Sequence, residues 1–340
     1  MKVSISSYKQ WQKCRRAWFF QYRLGLEPKT PSTALFLGSG VHEALGMYYR
    51  KNCTGLLDEY FRDWAAEAIH NMRTELAFFW QIYESDMLEQ VELGAAMLRH
   101  YQQYYAPQTG RDDFEIIDSE INFELPICDD VSFRGRVDGL IRSDNGLLWV
   151  FEHKTAKNLN RIDWTSYDPQ CTGYIWAAQE LSSSPVQGML YNFMLKDVPK
   201  APKMLKSGKY STDKRLKTTY EVFRQTLLEH GRDPSAYSER LTELRLQGNP
   251  FFARIWETRT HNQLNRWRRY MQDTVADMLH GKICPTFGYD CSWCSFSTPC
   301  HALELDADID LALDGYQKRH RDDEEATAYL PASEIDWSQV

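Results

Sequence analysis

Phe133-Arg134-Gly135-Arg136-Val137-Asp138-Gly139-Leu140 and Trp149-Val150-Phe151-Glu152-His153-Lys154-Thr155 are alternating apolar runs on either side of Asp144-Asn145-Gly146. That is the pattern of a β-hairpin with a tight loop. Loop length decides what the hairpin can present. A three-residue loop, with Gly146 in the left-handed region, pairs Ser143 with Leu147 and, counting outward, Asp138 with Glu152. Directly opposed residues share a face of the sheet, and the period of two adds Lys154 to it. Two carboxylates and an ammonium then converge from adjacent strands, the donor set of a hard divalent-metal site with a cation beside it. A two-residue Asn145-Gly146 turn would instead put Asp138 and Glu152 on opposite faces.

The rest of the chain is consistent with a large intracellular protein. Its 340 residues, 43% hydrophobic and 14% aromatic, can bury a sizeable core as one large domain or a core with helical elaborations. No cationic segment leads into an apolar run at the start, and no run of eighteen apolar residues occurs. Neither export nor membrane insertion is indicated, and a cytoplasmic location is expected. There the eight cysteines favour metal over disulfides. Ten acidic and three basic residues lie between Leu305 and Val340, which accounts for the whole net charge of -7. The remainder is neutral, and the acidic tail is expected to be disordered.

Upstream of the hairpin, Ser4 to Leu26 predicts a helix capped at Ser6 or Ser7 and stopped near Gly25. Tyr8, Trp11, Cys14, Trp18 and Tyr22 form its buried stripe, while Lys13, Arg15 and Arg16 make the other face basic. Phe36 to Leu45 is a small-residue turn opening a helix, residues 56 to 106 are helical, and Phe114 to Ile127 is a strand leading into the hairpin. Downstream, Asp168-Pro169 opens a helix on which Gln170 and Tyr174, four apart, face the same way. Val186 to Lys196 is a further strand. From Lys196 to Lys217 eight Lys or Arg stand against Asp197 and Asp213. This predicts a projecting basic arm able to neutralise phosphates without reading sequence. Thr218-x-x-Glu221 and Thr260-x-x-Gln263 are capping boxes that start two more helices, the second carrying Arg266, Arg268 and Arg269. Cys291, Cys294 and Cys300 then place three thiolates at ligand spacing. A tetrahedral sulfur site needs a fourth, zinc would accept the set, and Cys284 is the nearest additional thiol in sequence. No Gly-x-x-x-x-Gly-Lys-(Ser/Thr) loop is present, so no ATP-driven motor of that kind is expected.

The wording Gly135-Arg136-Val137-Asp138 with Glu152-His153-Lys154-Thr155 resembles the PD-(D/E)XK nuclease superfamily. It is most similar to the RecB-like branch, which includes the CRISPR-associated RecB-like exonucleases and the nuclease domains of AddAB-type complexes. Gly38, His42 and Leu45 match that branch's Gly-x-x-x-His-x-x-Leu element, and Gln170 and Tyr174 match its Gln-x-x-x-Tyr element. Ser7, Cys14 and Trp18 to Tyr22 match the opening helix of its iron-carrying members. The resemblance covers most of residues 4 to 300. It implies an α/β fold with a restriction-endonuclease-like mixed sheet, helical additions and an iron-sulfur module joining the N- and C-terminal parts. Residues 1–304 would form the nuclease domain, including the helical region 50–106, a basic and helical insertion 197–260 and a cluster-binding segment 281–301, with the acidic tail at 305–340.

The same resemblance implies a chemistry. Asp138, Glu152, the His153 carbonyl and His42 would hold Mg2+ or Mn2+, Lys154 would position water and offset phosphate charge, and Gln170 and Tyr174 would complete the site. Cys14, Cys291, Cys294 and Cys300 would hold a [4Fe-4S] cluster stapling the two ends of the core. The implied activity is that of a metal-dependent DNA exonuclease in recombination, repair or phage DNA processing. Its partners would be DNA ends and a recombination, helicase or CRISPR-adaptation complex, with no membrane. Two other roles share these motifs: an adaptor subunit whose nuclease only trims, and a catalytically silent DNA-binding scaffold. Retention of Asp138, Glu152 and Lys154 speaks against the last.

Overall fold

The computed structural model describes residues 1–105, 107–160, 162–319, 335, 337 and 340. Among the described residues there are eight strands: β1 (Lys2–Val3), β2 (Leu26–Pro28), β3 (Phe114–Cys128), β4 (Val131–Ser143), β5 (Leu148–Ala156), β6 (Val186–Leu195), β7 (Phe252–Thr258) and β8 (Tyr316–Lys318). The helices before the central hairpin are α1 (Ile5–Lys13), α2 (Arg15–Trp18), α3 (Thr33–Arg50), α4 (Leu57–Leu76) and α5 (Trp80–Tyr105). Those after it are α6 (Pro169–Leu181), α7 (Tyr220–Glu229), α8 (Ser238–Gln247), α9 (His261–His280), α10 (Ser297–Glu304) and α11 (Ile309–Leu313). This is a mixed α/β fold, as the hairpin and its flanking helices predict.

The sheet runs β1-β4-β5-β6-β7, with β3 on the other edge of β4. β3, β4 and β5 are consecutive antiparallel strands, β6 joins β5 in parallel, and β7 closes the far edge antiparallel to β6. Since β3 lies along one edge of β4, the other edge is shared. There β1 pairs in parallel with Ser132 and Phe133, and β5 pairs with Gly139 to Arg142. Between them the edge has no strand partner, so the sheet forks, and Asp138 stands just beyond the end of the β5 ladder. The loop is the three-residue one, since Ser143 N–H donates to Leu147 O at 3.0 Å and Gly146 has φ +81°.

Apolar side chains on the two faces of the sheet build two cores. One includes Phe133, Val150 and Tyr191 with Trp11, Trp176 and Trp267 from α1, α6 and α9. The other includes Phe151, Leu190 and Met194 with Val41, Tyr49, Phe61 and Tyr101 from α3 to α5. Val137 belongs to the first core and Ile141 to the second, although both are odd positions of one strand. β4 therefore changes face between them, at Asp138 and Gly139, which breaks the strict alternation of a strand.

Several expectations need correcting. The N-terminal helix is capped by Ser4 and breaks at Cys14, whose backbone is extended (φ -162°, ψ 116°). The break has a cause: Arg16 N–H, two residues beyond Cys14, bonds the Cys284 carbonyl at 3.3 Å instead of continuing the helix. β1 and β7 were not anticipated, being a two-residue strand and a strand that follows a Gly-Asn-Pro turn. The basic segment 196–217 does not project freely. Tyr210 packs with Phe223, Leu227, Leu241 and Leu244 in a third small core, while Lys214, Arg215 and Lys217 pair with Glu243, Asp213 and Asp197. The helix after it is capped by Thr219 rather than Thr218. Residues 309–313 and 316–318, expected in an unstructured acidic tail, form α11 and β8, and β8 pairs with β2. Tyr316 makes this possible by stacking on Phe296 at 5.5 Å. Residues 320–334 of that tail lie outside the described residues.

Candidate active site

The fork assembles side chains from both layers. The β4–β5 register continued by one residue sets Asp138 opposite Glu152. At that point no strand bond forms, and His153 N–H donates to Asp138 Oδ2 at 2.8 Å. From the α3 side, His42 Nδ1 lies 3.2 Å from Asp138 Oδ1. From the α6 side, Gln170 Nε2 donates to Glu152 Oε1 at 2.7 Å. Lys154 Nζ donates to the same oxygen at 2.6 Å and to Gln170 Oε1 at 2.9 Å. Gln170 is held at the start of α6 by Asp168, which accepts its backbone N–H at 3.1 Å. Tyr174 is buried one turn further along, beside Gln170. The structure thus brings together Asp138, Glu152, Lys154, His42, His153, Gln170 and Tyr174.

Burial sets the electrostatics. Glu152 is 2% exposed, and burial together with the neighbouring Asp138 pushes its carboxyl up to about 7, against the pull of Lys154. Burial alone would raise Asp138 too, but His42 and the His153 amide outweigh it and hold Asp138 far below the usual carboxylate range. Burial disfavours a charged His42, yet Asp138 raises its pKa above the ordinary value. The two carboxylates are therefore unlike at neutral pH, one firmly ionised and the other near its midpoint.

Sequence reading missed one acid. Glu120, on β3, lies at the register position opposite Asp138. Its backbone is left-handed (φ 58°), its carboxylate lies against Gly46 of α3, and Arg136 Nε approaches it at 2.8 Å. Burial, with Asp138 and Glu43 adding to it and Arg136 opposing, pushes Glu120 to about 7. A side chain at Gly46 would collide with it: an added Cβ would lie 2.8 Å from its Oε1.

The residues present fit a divalent cation. Asp138 and Glu152 are hard oxygen donors, and the buried Glu152 Oε2 has no hydrogen-bond partner among the described residues. A buried carboxylate oxygen left unpaired is costly and is relieved by a cation. As they stand, with His42, the His153 amide and Lys154 occupying the other oxygens, no three His, Cys, Asp or Glu side chains are grouped at ligand distance among the described residues.

The cysteines occupy a second place. Cys14, Cys291, Cys294 and Cys300 line one cavity of about 200 Å3, and Cys284 is outside its lining. Sulfur there meets donors: Thr286 N–H to Cys14 Sγ, Phe296 N–H to Cys294 Sγ and Arg16 Nη1 to Cys300 Sγ, each at 3.5 Å. Burial raises the Cys294 thiol, to which Cys14, Cys300 and Cys291 add. The donor set suits a thiolate-held group, although these thiols too are not closed to metal-binding distance. Cys14, at the break in the opening helix, packs against the first core as its stripe predicts and also lines this cavity.

A family model described as the PD-(D/E)XK nuclease superfamily matches residues 2–301. The chain belongs to that superfamily. Membership of that superfamily implies a nuclease, and Mg2+ or Mn2+ are the ions such enzymes commonly use. No curated protein matches the sequence. Among solved structures, one titled "Crystal structure of SSO0001" is 17% identical, covers 63% of this chain and 76% of that one, and superposes with a TM-score of 0.28, too low to argue from. Among the described residues no helix is long and apolar enough to cross a membrane.

A metal on Glu152 must displace its proton. Calorimetric titration of metal-free protein with Mg2+ should therefore show affinity rising with pH, up to about ten-fold per unit below about 7, and levelling off above it. The sign for stability is opposite. A carboxyl raised in the fold contributes stability below the ordinary glutamate value, and this is lost as pH climbs through about 7. Affinity unchanged between about pH 5.5 and 8 would remove Glu152 from the ligand set.

Proposed function

We propose that this superfamily member is a RecB-like, divalent-metal-dependent deoxyribonuclease that hydrolyses phosphodiester bonds from DNA ends. The single observation that carries the reading is the fork itself: Asp138 opposite Glu152, with an unpaired buried oxygen, and Lys154 2.6 Å away on the same sheet face. A cation held by Asp138, Glu152, the His153 carbonyl and His42 would supply Lewis-acid stabilisation of the scissile phosphate. This chain's residues do the rest. Lys154, fixed by Glu152 and Gln170, orients the attacking water and offsets charge growing on the phosphoryl oxygens. Gln170 keeps its amide across Glu152 and Lys154, so neither side chain must reorganise during reaction. Asp138, locked by His42 and the His153 N–H, is an anion at neutral pH.

The four thiols suit a [4Fe-4S] cluster that ties residue 14 to residues 291–300, making residues 1–304 one nuclease unit. Recombination, repair or phage DNA processing, alongside a helicase, recombination or CRISPR-adaptation partner, fits an enzyme with no Gly-x-x-x-x-Gly-Lys-(Ser/Thr) loop of its own. The test is digestion of end-labelled single-stranded, duplex and circular DNA with Mg2+, Mn2+ or a chelator. Metal-dependent loss from linear DNA with sparing of circles is expected. No cleavage of any DNA in either metal would overturn the reading.

A further inference from the structure

The short 3-10 helix Asp163–Tyr167 follows the catalytic strand and leads directly into α6. In such a helix residues three apart share a face, so Trp164 and Tyr167 stand together. Tyr167 is 88% exposed and Trp164 44%. An exposed aromatic pair can serve as a stacking surface if its backbone is held in place, and this segment is secured. Thr165 Oγ1 donates to Glu257 Oε1 at 2.7 Å, Ser166 Oγ to the same oxygen at 3.1 Å, and Arg259 Nη2 to the Thr165 carbonyl at 2.8 Å.

Its position relative to the fork follows from register. β5 and β6 are parallel, with Glu152 beside Tyr191 and Lys154 beside Phe193, so all four share a face. The Trp164 ring lies 6.3 Å from Tyr191 and 6.4 Å from Phe193. It therefore covers the positions next to Glu152 and Lys154, one strand away. Tyr167 precedes by three residues Gln170, which touches both catalytic side chains. Its ring contacts no other ring among the described residues. At the C-terminal ends of the same two strands stand Lys157, exposed, and Lys196, half-buried. Burial and the neighbouring Lys157 ammonium push Lys196 below the usual lysine value, a cost that a polyanion lying across both would relieve.

We propose that Trp164 and Tyr167 form a base-stacking platform beside the catalytic fork, with Lys157 and Lys196 taking the adjoining phosphates, so that these residues select unpaired bases. This rests on the nuclease reading and adds to it the residues that would hold an unpaired strand. Stacked bases in a duplex have no free face to offer, whereas each unpaired base does, whatever its identity.

The experiment is fluorescence anisotropy of labelled oligo-dT and of a blunt duplex, in chelator so that no cleavage intervenes. Tyr167→Ala should weaken oligo-dT binding about ten-fold, leave the duplex unchanged and leave the salt dependence intact. Tyr167→Phe should bind as the parent does. Lys157→Ala should flatten the salt dependence on oligo-dT by about 0.7. Because Tyr167 is on the surface, its loss does not threaten the fold. Equal weakening on the duplex, or none on oligo-dT, would overturn the platform. A parent protein that binds oligo-dT in this way but cleaves no DNA would overturn the nuclease reading and leave the platform standing.

Discussion

Glu152→Gln is expected to reduce Mg2+-dependent cleavage below about one-thousandth of the parent rate, with DNA binding retained and no loss of thermal stability at pH 8. The two halves of that result come from one feature. Glu152 is buried beside ionised Asp138, with one oxygen unpaired, so above pH 7 its charge costs the metal-free fold stability while serving the cation. Gln keeps an acceptor for Lys154 and removes the charge, the stability–activity trade expected of a strained site. Asp138→Ala and Lys154→Ala should lose cleavage equally, but Asp138→Ala should also lower the thermal midpoint. It leaves the buried His153 N–H without its acceptor, at a cost of about 1–3 kcal/mol. Substantial cleavage by any of the three would sink the assignment of roles.

Cys14→Ala is expected to harm folding before it harms chemistry. Cys14 and Cys291 are 277 residues apart, so a shared metal group closes nearly the whole nuclease unit into a loop. A crosslink over such a span restricts the unfolded chain by roughly 5 kcal/mol on the chain-entropy model, and ligand bonds absent from that state add to it. Anaerobically purified parent protein should be brown, with a broad sulfur-to-iron charge-transfer band that zinc, with its filled d shell, cannot give. Cys14→Ala should bleach it and lower soluble yield. Cys284→Ala should do neither, because Cys284 contributes its carbonyl to Arg16 while its side chain stays outside the four-thiol cavity. Colourless protein with stoichiometric zinc would overturn the metal. Colour that survives loss of Cys14 but not of Cys284 would overturn the ligand set.

The hairpin is readable from its Asp144-Asn145-Gly146 loop and the period-two runs beside it, but the loop length is not: two- and three-residue turns are both open in sequence, and the Ser143–Leu147 bond selects the one that sets Asp138 against Glu152. The pairing of β3 is not readable either, and Glu120 shows why. The Asp129-Asp130 turn pairs Cys128 with Val131, which by simple counting sets Glu120 against Gly139. A one-residue shift between Pro126 and Cys128 moves it to Asp138, and nothing in the local composition signals that shift. Cys14 illustrates a second limit. Its spacing from Trp11 and Trp18 belongs to a continuous helix, and the break comes from a carbonyl 270 residues away at Cys284. Tertiary contacts override local expectation there, as they do in the basic segment, where Glu243 of α8 and Asp197 at the start of the segment pair with lysines that look free in sequence.

The middle residue of Glu152-His153-Lys154 belongs to the other side of the sheet. His153, Asn192 and Arg254 are register neighbours on β5, β6 and β7 and form a polar row within the apolar α3–α5 layer. Asn192 Nδ2 lies 3.0 Å from His153 Nδ1 and donates to Tyr101 Oη at 3.0 Å. Tyr49 stacks on the His153 ring at 5.6 Å, and Arg254 pairs with half-buried Asp112. The peptide that clamps Asp138 is thus anchored from behind, by groups on the opposite face of the sheet from Glu152 and Lys154. For anyone transplanting this centre onto another scaffold, the portable unit is therefore larger than an aspartate, a glutamate and a lysine. A graft of those three alone would carry the reactive groups and leave behind the vice that holds them.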